Sequence, residues 1–166
     1  MRSSGDLTLR TATAADARAI QDLLERSGLP TSDLSTARPE FLVAESAGQI
    51  AGIGALERFG DAALLRSVAV EPRRRGSGVG RVIVAELEQR ARAAGIDELV
   101  LLTLTARDFF ARLGYGAKPR EQVPPSVLES AEFRSLCPAS AVCMAKDLAP
   151  DQQFGSAAPR AQGLDS

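Results

Sequence analysis

The chain has 166 residues, of which 45% are hydrophobic and 25% are charged, and its net charge is −1. This length and apolar content suffice for one domain with a hydrophobic core and are small for two. A net charge near zero argues against a nucleic-acid-binding protein, because that class contacts phosphates through an excess of basic residues. No apolar run approaches the roughly 18 residues of a membrane-spanning helix, so we expect no membrane partner.

The N-terminus and the cysteines indicate a cytoplasmic protein. Residues 1–6 lack the apolar stretch of a secretory signal peptide. Only Cys137 and Cys143 are present, and a reducing compartment disfavours a disulfide between them. Trivalent arsenic prefers thiolates, but cysteines in such an apolar segment are more typical of buried core residues. We predict no metal site.

The pattern of residues 7–39 predicts a strand, a helix and a loop. Leu7–Arg10 alternates like a strand, and Thr13 followed by Asp16 is typical of a helix cap. Gly28 is placed to end that helix, and residues 31–39 predict a loop or one helical turn. The apolar face of the helix comprises Ala17, Ile20, Leu23 and Leu24.

Three strand-like runs follow. They are Glu40–Glu45, Gln49–Glu57 and Ala62–Val70, separated by turn sequences at 46–48 and 60–61. Short glycine-bearing turns join neighbouring antiparallel strands, so these runs predict an antiparallel unit of three strands.

A basic, glycine-rich loop links the third of these strands to a helix. Pro72 ends the strand because it has no N–H group for a ladder, and Gly95 is placed to end the helix. The first N–H groups of a helix lack internal partners and carry the positive end of the helix dipole. The helical face comprises Val79, Ile83, Leu87, Ala91 and Ala94, and the loop carries Gly76, Gly78, Gly80, Arg73, Arg74, Arg75 and Arg81.

This loop predicts a phosphate or pyrophosphate site. Glycines let a ligand approach the backbone, and the arginines add positive charge. The Gly-Lys-Ser/Thr ending of a P-loop is absent, and the glycine spacing G-x-G-x-G differs from the dinucleotide fingerprint. Taken alone, the same residues could form only a tight turn with a solvated basic surface.

The last part of the chain predicts two more strands and two short helices. Glu98–Leu104 is an apolar strand, parallel to the preceding one because a helical crossover joins them. Ala106–Leu113 and Ser126–Ala131 predict helices, and Ala139–Leu148 predicts the final strand. Residues 149–166 are polar and rich in small residues, which predicts a disordered tail.

Several motifs together resemble the GCN5-related N-acetyltransferases (GNAT). Arg75, Gly78 and Gly80 match the family's pyrophosphate motif Q/R-x-x-G-x-G/A in register. Ser67–Pro72 resembles the strand before that motif, and Ala106–Tyr115 resembles the second signature of the family. The run from Glu132 to Met144 is similar to small acetyltransferases named for arsenic-resistance operons, which are themselves similar to N-acetylglutamate synthase acetyltransferase domains.

The resemblance implies an α+β fold and a GNAT domain over residues 1–148, with the similarity itself spanning roughly 7–148. The expected sheet is mixed and mostly antiparallel, with six to seven strands and flanking helices. Its central parallel strands splay apart, and the acyl-CoA pantetheine arm lies in the gap. GNAT folds often dimerise, and a homodimer is left open for this chain.

Acetyl-CoA is the implied cosubstrate. In the family, strand N–H groups bind the pantetheine arm and thioester carbonyl, which points to Val68 as the oxyanion donor. Phe110 occupies the position at which the family commonly has a tyrosine that protonates the leaving thiolate, so we assign no general acid. The residues implied to contact acetyl-CoA are Val68, Ala69, Val70, Arg73, Arg75, Gly76, Ser77, Gly78, Val79, Gly80, Arg81 and Phe110.

The acceptor is less well defined. The absence of histidine removes the familiar base at neutral pH, which favours an α-amine because part of it is already neutral. Glu57, acting through water, is our candidate base, with a surface carboxylate as the alternative interpretation. Arg66, inside an apolar strand, is our candidate for binding the acceptor carboxylate, with a solvated side chain as the alternative. Further candidate substrate contacts are Ser67, Thr103 and Arg134.

These observations predict an acetyl-CoA-dependent N-acetyltransferase that works by direct attack in a ternary complex. The predicted acceptor is a small amino acid or an amino-acid-like toxin, with an organoarsenical glutamate analogue as the sharpest candidate. The alternatives are a short N-acetylglutamate synthase and, because of Phe110 and the missing histidine, a catalytically silent acyl-CoA-binding module.

Overall fold

A computed structural model of the protein describes residues 7–148, and the predicted tail at 149–166 lies outside the described residues. The strands are β1 (Thr8–Thr11), β2 (Glu40–Ser46), β3 (Gln49–Phe59), β4 (Ala62–Val70), β5 (Glu98–Thr103), β6 (Gly116–Ala117) and β7 (Val142–Asp147). The α-helices are α1 (Ala17–Arg26), α2 (Leu34–Ala37), α3 (Val79–Ala93), α4 (Arg107–Arg112) and α5 (Pro125–Leu128). A π-helical turn follows at Glu132–Leu136.

The seven strands form one mixed sheet in the order β1-β2-β3-β4-β5-β7-β6. Only the β4–β5 pair is parallel among the described strands, and the other neighbours are antiparallel. This arrangement confirms the predicted α+β class and the mostly antiparallel sheet. The two-residue turn between β2 and β3 has positive φ at Ala47 and Gly48, which matches the twist of a tight hairpin.

The two parallel strands separate soon after they begin to pair. Ala62–Leu64 of β4 pair with Glu98–Val100 of β5. Within the described residues, the remainder of β4, Leu65–Val70, has no register partner on β5. The central strands are therefore splayed, and one side of the β4 backbone faces a gap rather than another strand.

A bulge bends β4 at the start of this gap. Ile53 pairs with Ala69, and Ala55 pairs with Arg66. Between these two pairs, two residues of β4 therefore lie opposite one residue of β3. Ser67, inside the bulge, has φ +60°, a conformation that non-glycine residues rarely adopt. Such bulges re-aim the backbone of the strand, and here the bulge lies directly before Val68.

Helices cover both faces of the sheet. On one face, Ile83 and Leu87 of α3 pack against Leu42, Leu65 and Leu99. The opposite face contacts α1 through one cluster and the α5 region through another. The cluster at α1 includes Ile20, Leu23, Leu24, Val43 and Ile53. The cluster at the α5 region includes Leu64, Val100, Val123, Val127 and Cys143. Among residues 7–148, no helix is long and apolar enough to cross a membrane.

The C-terminal region departs from the sequence-based prediction. The helix predicted at Ser126–Ala131 is present but shorter, because α5 covers Pro125–Leu128 and a separate π-helical turn follows at Glu132–Leu136. The final strand begins at Val142 rather than Ala139, because the Ala141 N–H donates to the Pro138 carbonyl and closes a turn. The two-residue strand β6 is too short to leave a periodic pattern.

Two glycines of β3 lie under α3 with no room for a side chain. A Cβ atom on Gly54 would be 2.8 Å from Ile83 Cγ2 and 2.9 Å from Leu87 Cδ1, and Gly52 is equally crowded. The branched Ile83 side chain is stiff at χ1, so it cannot easily move away. We expect Gly54→Ala to lower the free energy of unfolding by about 1–3 kcal/mol through overpacking, measured by urea denaturation.

Gly116→Ala is the matched control, because nothing lies within 4 Å of a Cβ at that strand glycine. Its unfolding free energy should stay within about 0.5 kcal/mol of wild type. Equal losses in the two variants would show that the contact between α3 and β3 is not the cause.

Candidate active site

The gap between β4 and β5 opens beside the start of α3. Gly78 is the N-cap of α3 with φ +93°, and Gly76 has φ +82°. The Val82 N–H donates to the Gly78 carbonyl at 3.1 Å and makes the first hydrogen bond of the helix. The N–H groups of the three helical residues before Val82 therefore have no acceptor within the helix. Together with the dipole of a 15-residue helix, these groups form a site suited to an anion.

Phe109 of α4 packs tightly against this helix start. A Cβ atom on Gly80 would be 3.2 Å from Phe109 Cζ and 3.6 Å from Val70 Cγ2. The glycine at position 80 is therefore needed for the close approach of α4 to α3. Phe110 is buried and makes edge contacts with Phe109 and Tyr115, at centroid distances of 5.0 and 5.7 Å. Its contact with acetyl-CoA stays a prediction.

The loop arginines differ in their surroundings. Arg75 Nε donates to the Val70 carbonyl at 3.2 Å and so ties the loop to the end of β4. The side chains of Arg73, Ser77 and Arg81 are exposed, and they add polar and positive groups around the helix start. The structure thus brings the predicted acyl-CoA residues of β4, the loop and α3 together at one edge of the gap.

Arg66 of β4 lies at the centre of a buried cluster of charges. Its side chain is 0% exposed, and those of Asp33, Glu57 and Glu132 are 7%, 11% and 5% exposed. Asp33 accepts bidentate hydrogen bonds from Nη1 and Nη2 at 2.7 and 2.8 Å. Glu57 accepts from Nη1 at 3.0 Å, and Glu132 Oε2 lies 3.2 Å from Nε.

This environment bears on two sequence-based predictions. Arg66 was expected to bind the acceptor carboxylate, but the protein's own carboxylates already surround its guanidinium. The buried ion pair of Glu57 also differs from the alternative interpretation of a surface carboxylate. The roles of Arg66 and Glu57 in catalysis stay predictions, and the geometry shows both as parts of one enclosed cluster.

The three carboxylates of the cluster are not equivalent. Hydrogen bonds from Arg66 hold the pKa of Asp33 below its usual range against the opposing effect of burial. For Glu132, burial outweighs the attraction of Arg66, and the nearby charges of Asp33 and Glu57 add to it, raising its pKa to about 7. Glu132 is therefore the member of the cluster that exchanges a proton near neutral pH.

The other predicted acceptor contacts have different surroundings. Ser67 is buried, and its Oγ accepts from Arg66 Nε at 3.2 Å, which links the bulge to the cluster. Thr103 is buried, and its hydroxyl accepts from the Ala106 N–H at 2.9 Å, so it closes the turn before α4. Arg134 is exposed on the π-helical turn.

Sequence reasoning missed Asp33 and Glu132. Asp33 lies in a segment without periodicity, and Glu132 lies on a π-helical turn that follows neither the period of a helix nor that of a strand. One signal was available: an arginine inside an apolar strand must find buried counter-charges, and its carboxylate partners could have been sought in the flanking segments.

The two cysteines are free thiols that differ in burial. Cys143 is buried in the core, as predicted, and Cys137 is half-buried with its Sγ 3.9 Å from Glu132 Oε1. Burial, with the nearby charge of Glu132, raises the pKa of Cys137 to about 11. Over residues 7–148, no group of three or more histidine, cysteine or carboxylate side chains is arranged so that it could hold a metal ion.

Comparisons with known proteins agree with this architecture. The family model for the acetyltransferase (GNAT) domain matches residues 37–116. An amino-acid acetyltransferase from Mycobacterium tuberculosis is 36% identical over 117 residues, which cover 64% of this chain and 67% of the relative. An uncharacterised N-acetyltransferase from Chlorobaculum tepidum is 29% identical over 150 residues, covering 84% and 93% of the two chains.

Solved structures of acetyltransferases and a CoA-bound protein share the fold of this chain. N-acetylglutamate synthase from Neisseria gonorrhoeae, complexed with coenzyme A and N-acetyl-glutamate, superposes with a TM-score of 0.74 at 23% identity. That match covers 86% of this chain but only 35% of the synthase chain. A Mycobacterium tuberculosis protein in complex with CoA superposes with a TM-score of 0.72 at 29% identity, covering 84% and 98%.

The fold, the splayed strands and the glycine loop before α3 define an acyltransferase scaffold. The chain belongs to the GNAT acetyltransferase family, and it is an N-acetyltransferase of that type.

The raised pKa of Glu132 predicts that the free energy of unfolding depends on pH. An unfolded glutamate has a pKa of about 4.3, so the unfolded chain loses this proton before the folded one does. Stability from this group is complete below pH 4 and is lost as the pH rises to about 7, by roughly 3 kcal/mol. In Glu132→Gln this loss should disappear, as measured by urea denaturation between pH 4.5 and 8.

The stability contribution of Asp33 is lost below pH 4 and does not enter this range. Glu129→Gln, an exposed change three residues away, is the control and should keep the wild-type pH dependence. Parallel stability curves for wild type and Glu132→Gln would contradict the assignment.

Proposed function

We propose that the protein transfers an acetyl group from acetyl-CoA to the α-amine of a small amino acid or an amino-acid-like compound. The observation that carries this proposal is the open backbone of β4 beside the free N-terminus of α3. A long thioester ligand with a pyrophosphate group requires hydrogen-bonding backbone along its arm and an anion site at its other end, and the gap between β4 and β5 offers both.

The residues present fit acetyl-CoA. Gly76 and Gly78 have positive φ, and a Cβ on Gly76 would meet no other atom within 4 Å, so the loop is open to solvent. The N–H groups at the start of α3, with Arg73, Arg75 and Arg81, would hold the pyrophosphate. The backbone from Val68 to Val70 would hold the pantetheine arm.

The chemistry required of the protein is modest. The Val68 N–H, placed by the bulge, would donate to the thioester oxygen and stabilise the negative charge that develops there. Direct attack by the amine then needs no covalent acetyl-enzyme. Phe110 offers no hydroxyl for the leaving thiolate, whose pKa of about 8.5 allows solvent to protonate it.

An amino acid acceptor is supported by the relatives. The Mycobacterium tuberculosis relative is named an amino-acid acetyltransferase, and the gonococcal structure holds N-acetyl-glutamate. The lack of histidine favours an amine that is partly neutral near pH 7. An organoarsenical glutamate analogue is the more specific candidate, supported by the resemblance of the segment Glu132–Met144 to arsenic-resistance acetyltransferases.

The direct test is release of CoA thiol from acetyl-CoA, followed with a thiol reagent. L-glutamate, other amino acids and an amino-acid organoarsenical should be offered in parallel. We expect a signal with at least one α-amino acid. Signal with glutamate alone would favour a short N-acetylglutamate synthase. Silence with every acceptor, combined with thermal stabilisation by acetyl-CoA, would favour the silent acyl-CoA-binding module.

The helix-capping glycine provides a test of the binding site. Gly78→Ala adds a Cβ atom at a residue with φ +93° and distorts the backbone that would face the pyrophosphate. We expect acetyl-CoA affinity to fall at least about 10-fold, measured by calorimetry, since several helix-terminal hydrogen bonds are weakened together.

Gly95→Ala is the control, because Gly95 has φ +82° and follows the opposite end of the same helix. Both variants should lose about 1 kcal/mol of stability from backbone strain, but only Gly78→Ala should lose affinity. Equal affinities in the two variants would remove the start of α3 from the binding site.

A further inference from the structure

Glu132 has weaker hydrogen-bond partners than the other carboxylates around Arg66. Asp33 accepts two hydrogen bonds from the guanidinium, and Glu57 accepts one at 3.0 Å. Glu132 has Arg66 Nε at 3.2 Å from Oε2 and only a thiol, Cys137 Sγ, at 3.9 Å from Oε1. One buried guanidinium balances one negative charge, so three ionised carboxylates around it leave an uncompensated excess. The carboxylate with the weakest partners is the one that takes up a proton.

The position of Glu132 connects it to the acetyl-transfer site. Arg66 Nε lies 3.2 Å from both Glu132 Oε2 and Ser67 Oγ. Ser67 is the bulge residue immediately before Val68, where the gap between β4 and β5 is open. The cluster therefore meets the bulge through the Nε end of Arg66, where Glu132 lies, whereas Asp33 and Glu57 lie at the Nη end.

We propose, resting on the function proposed above, that Glu132 is the proton acceptor for the amine of the acceptor substrate, in place of Glu57. As a carboxylate, Glu132 takes one proton from the acceptor ammonium and leaves a neutral amine. The amine nitrogen forms a bond to the acetyl carbon and the carbon–sulfur bond breaks. The second amine proton passes to sulfur, which gives the CoA thiol, and Glu132 returns its proton to solvent.

The protonation behaviour of the cluster suits this role. The groups that face Glu132 are Arg66 from β4, Asp33 from the start of α2, Glu57 from β3 and Cys137 after the π-helical turn. Their combined effect with burial raises the pKa of Glu132 to about 7, the range in which a general base is most effective at neutral pH. The π-helical turn that holds Glu132 is itself an arrangement often found at functional sites.

The test is the pH profile of kcat/KM for CoA release between pH 5.5 and 9.5, using L-glutamate or the fastest amino acid of the panel. In wild type, kcat/KM should rise with pH along a limb whose midpoint lies near pH 7. Glu132→Gln should lose about 10²-fold at pH 7 and recover toward wild-type activity as the pH passes the pKa of the amine itself. Glu132→Asp should keep partial activity and the limb.

Two further measurements separate a base from a structural residue. Glu57→Gln removes one of the charges that raise the pKa of Glu132, so it should keep the limb but move its midpoint to a lower pH. Exposed Glu129→Gln should match wild type throughout. Carboxyl ¹³C NMR of glutamate-labelled protein, with the Glu132 resonance identified by its loss in Glu132→Gln, should titrate near pH 7 without any substrate.

The outcomes are distinct. A loss in Glu132→Gln that is uniform at every pH, a limb abolished by Glu57→Gln instead, or a Glu132 resonance that titrates below pH 5 would each overturn this inference and leave the acetyltransferase function intact. Wild-type protein that releases no CoA with any acceptor would overturn the proposed function and this inference together.

Discussion

Strands β4 and β5 stop pairing after Leu64 and Val100, and most features of the site follow from that early end. A strand that loses its neighbour exposes backbone N–H and C=O groups that need other partners. The bulge at Ser67 bends β4 at this point, and Arg75 binds the Val70 carbonyl at its far end. The helix that follows presents its own free N–H groups at the same edge. Unsatisfied backbone from two kinds of secondary structure is thus brought together, and a ligand with a polar arm and an anionic end can satisfy both.

The cluster beside the bulge is built from charged side chains rather than backbone groups. Burying a guanidinium and three carboxylates is costly, and an apolar replacement of such clusters can be as stable. The cluster around Arg66 joins the α2 segment, β3, β4 and the π-helical turn, so it fixes four separate pieces of chain around the bulge. Burial and the excess of acid raise the pKa of Glu132 to about 7. Fixed geometry and a carboxyl group with a pKa near neutral pH support the proton transfer proposed for a chain without histidine.

The sequence predicted the strand and helix beside the gap far better than the charged cluster, for a physical reason. Strand β4, ended by Pro72, was predicted with its observed bounds, Ala62–Val70. Helix α3 was predicted from a local pattern of apolar residues with glycines at both ends. The cluster instead depends on contacts between residues up to 66 positions apart, and periodicity carries no information about them. Arg66 was singled out correctly as unusual, but its partners Asp33 and Glu132 lie in segments without regular spacing. The π-helical turn and the two-residue β6 were missed for the same reason.

The division between these two regions has an evolutionary consequence. The open stretch of β4 and the start of α3 rely on backbone groups and a few glycines, so most side-chain substitutions there leave their hydrogen-bonding pattern unchanged. The cluster around Arg66 relies on the identity of particular charged side chains on four segments. With the roles proposed for the two regions, mutational drift in those segments can change the amine that is accepted while the acyl-CoA site stays the same. Such divergence of acceptors needs no change in the fold.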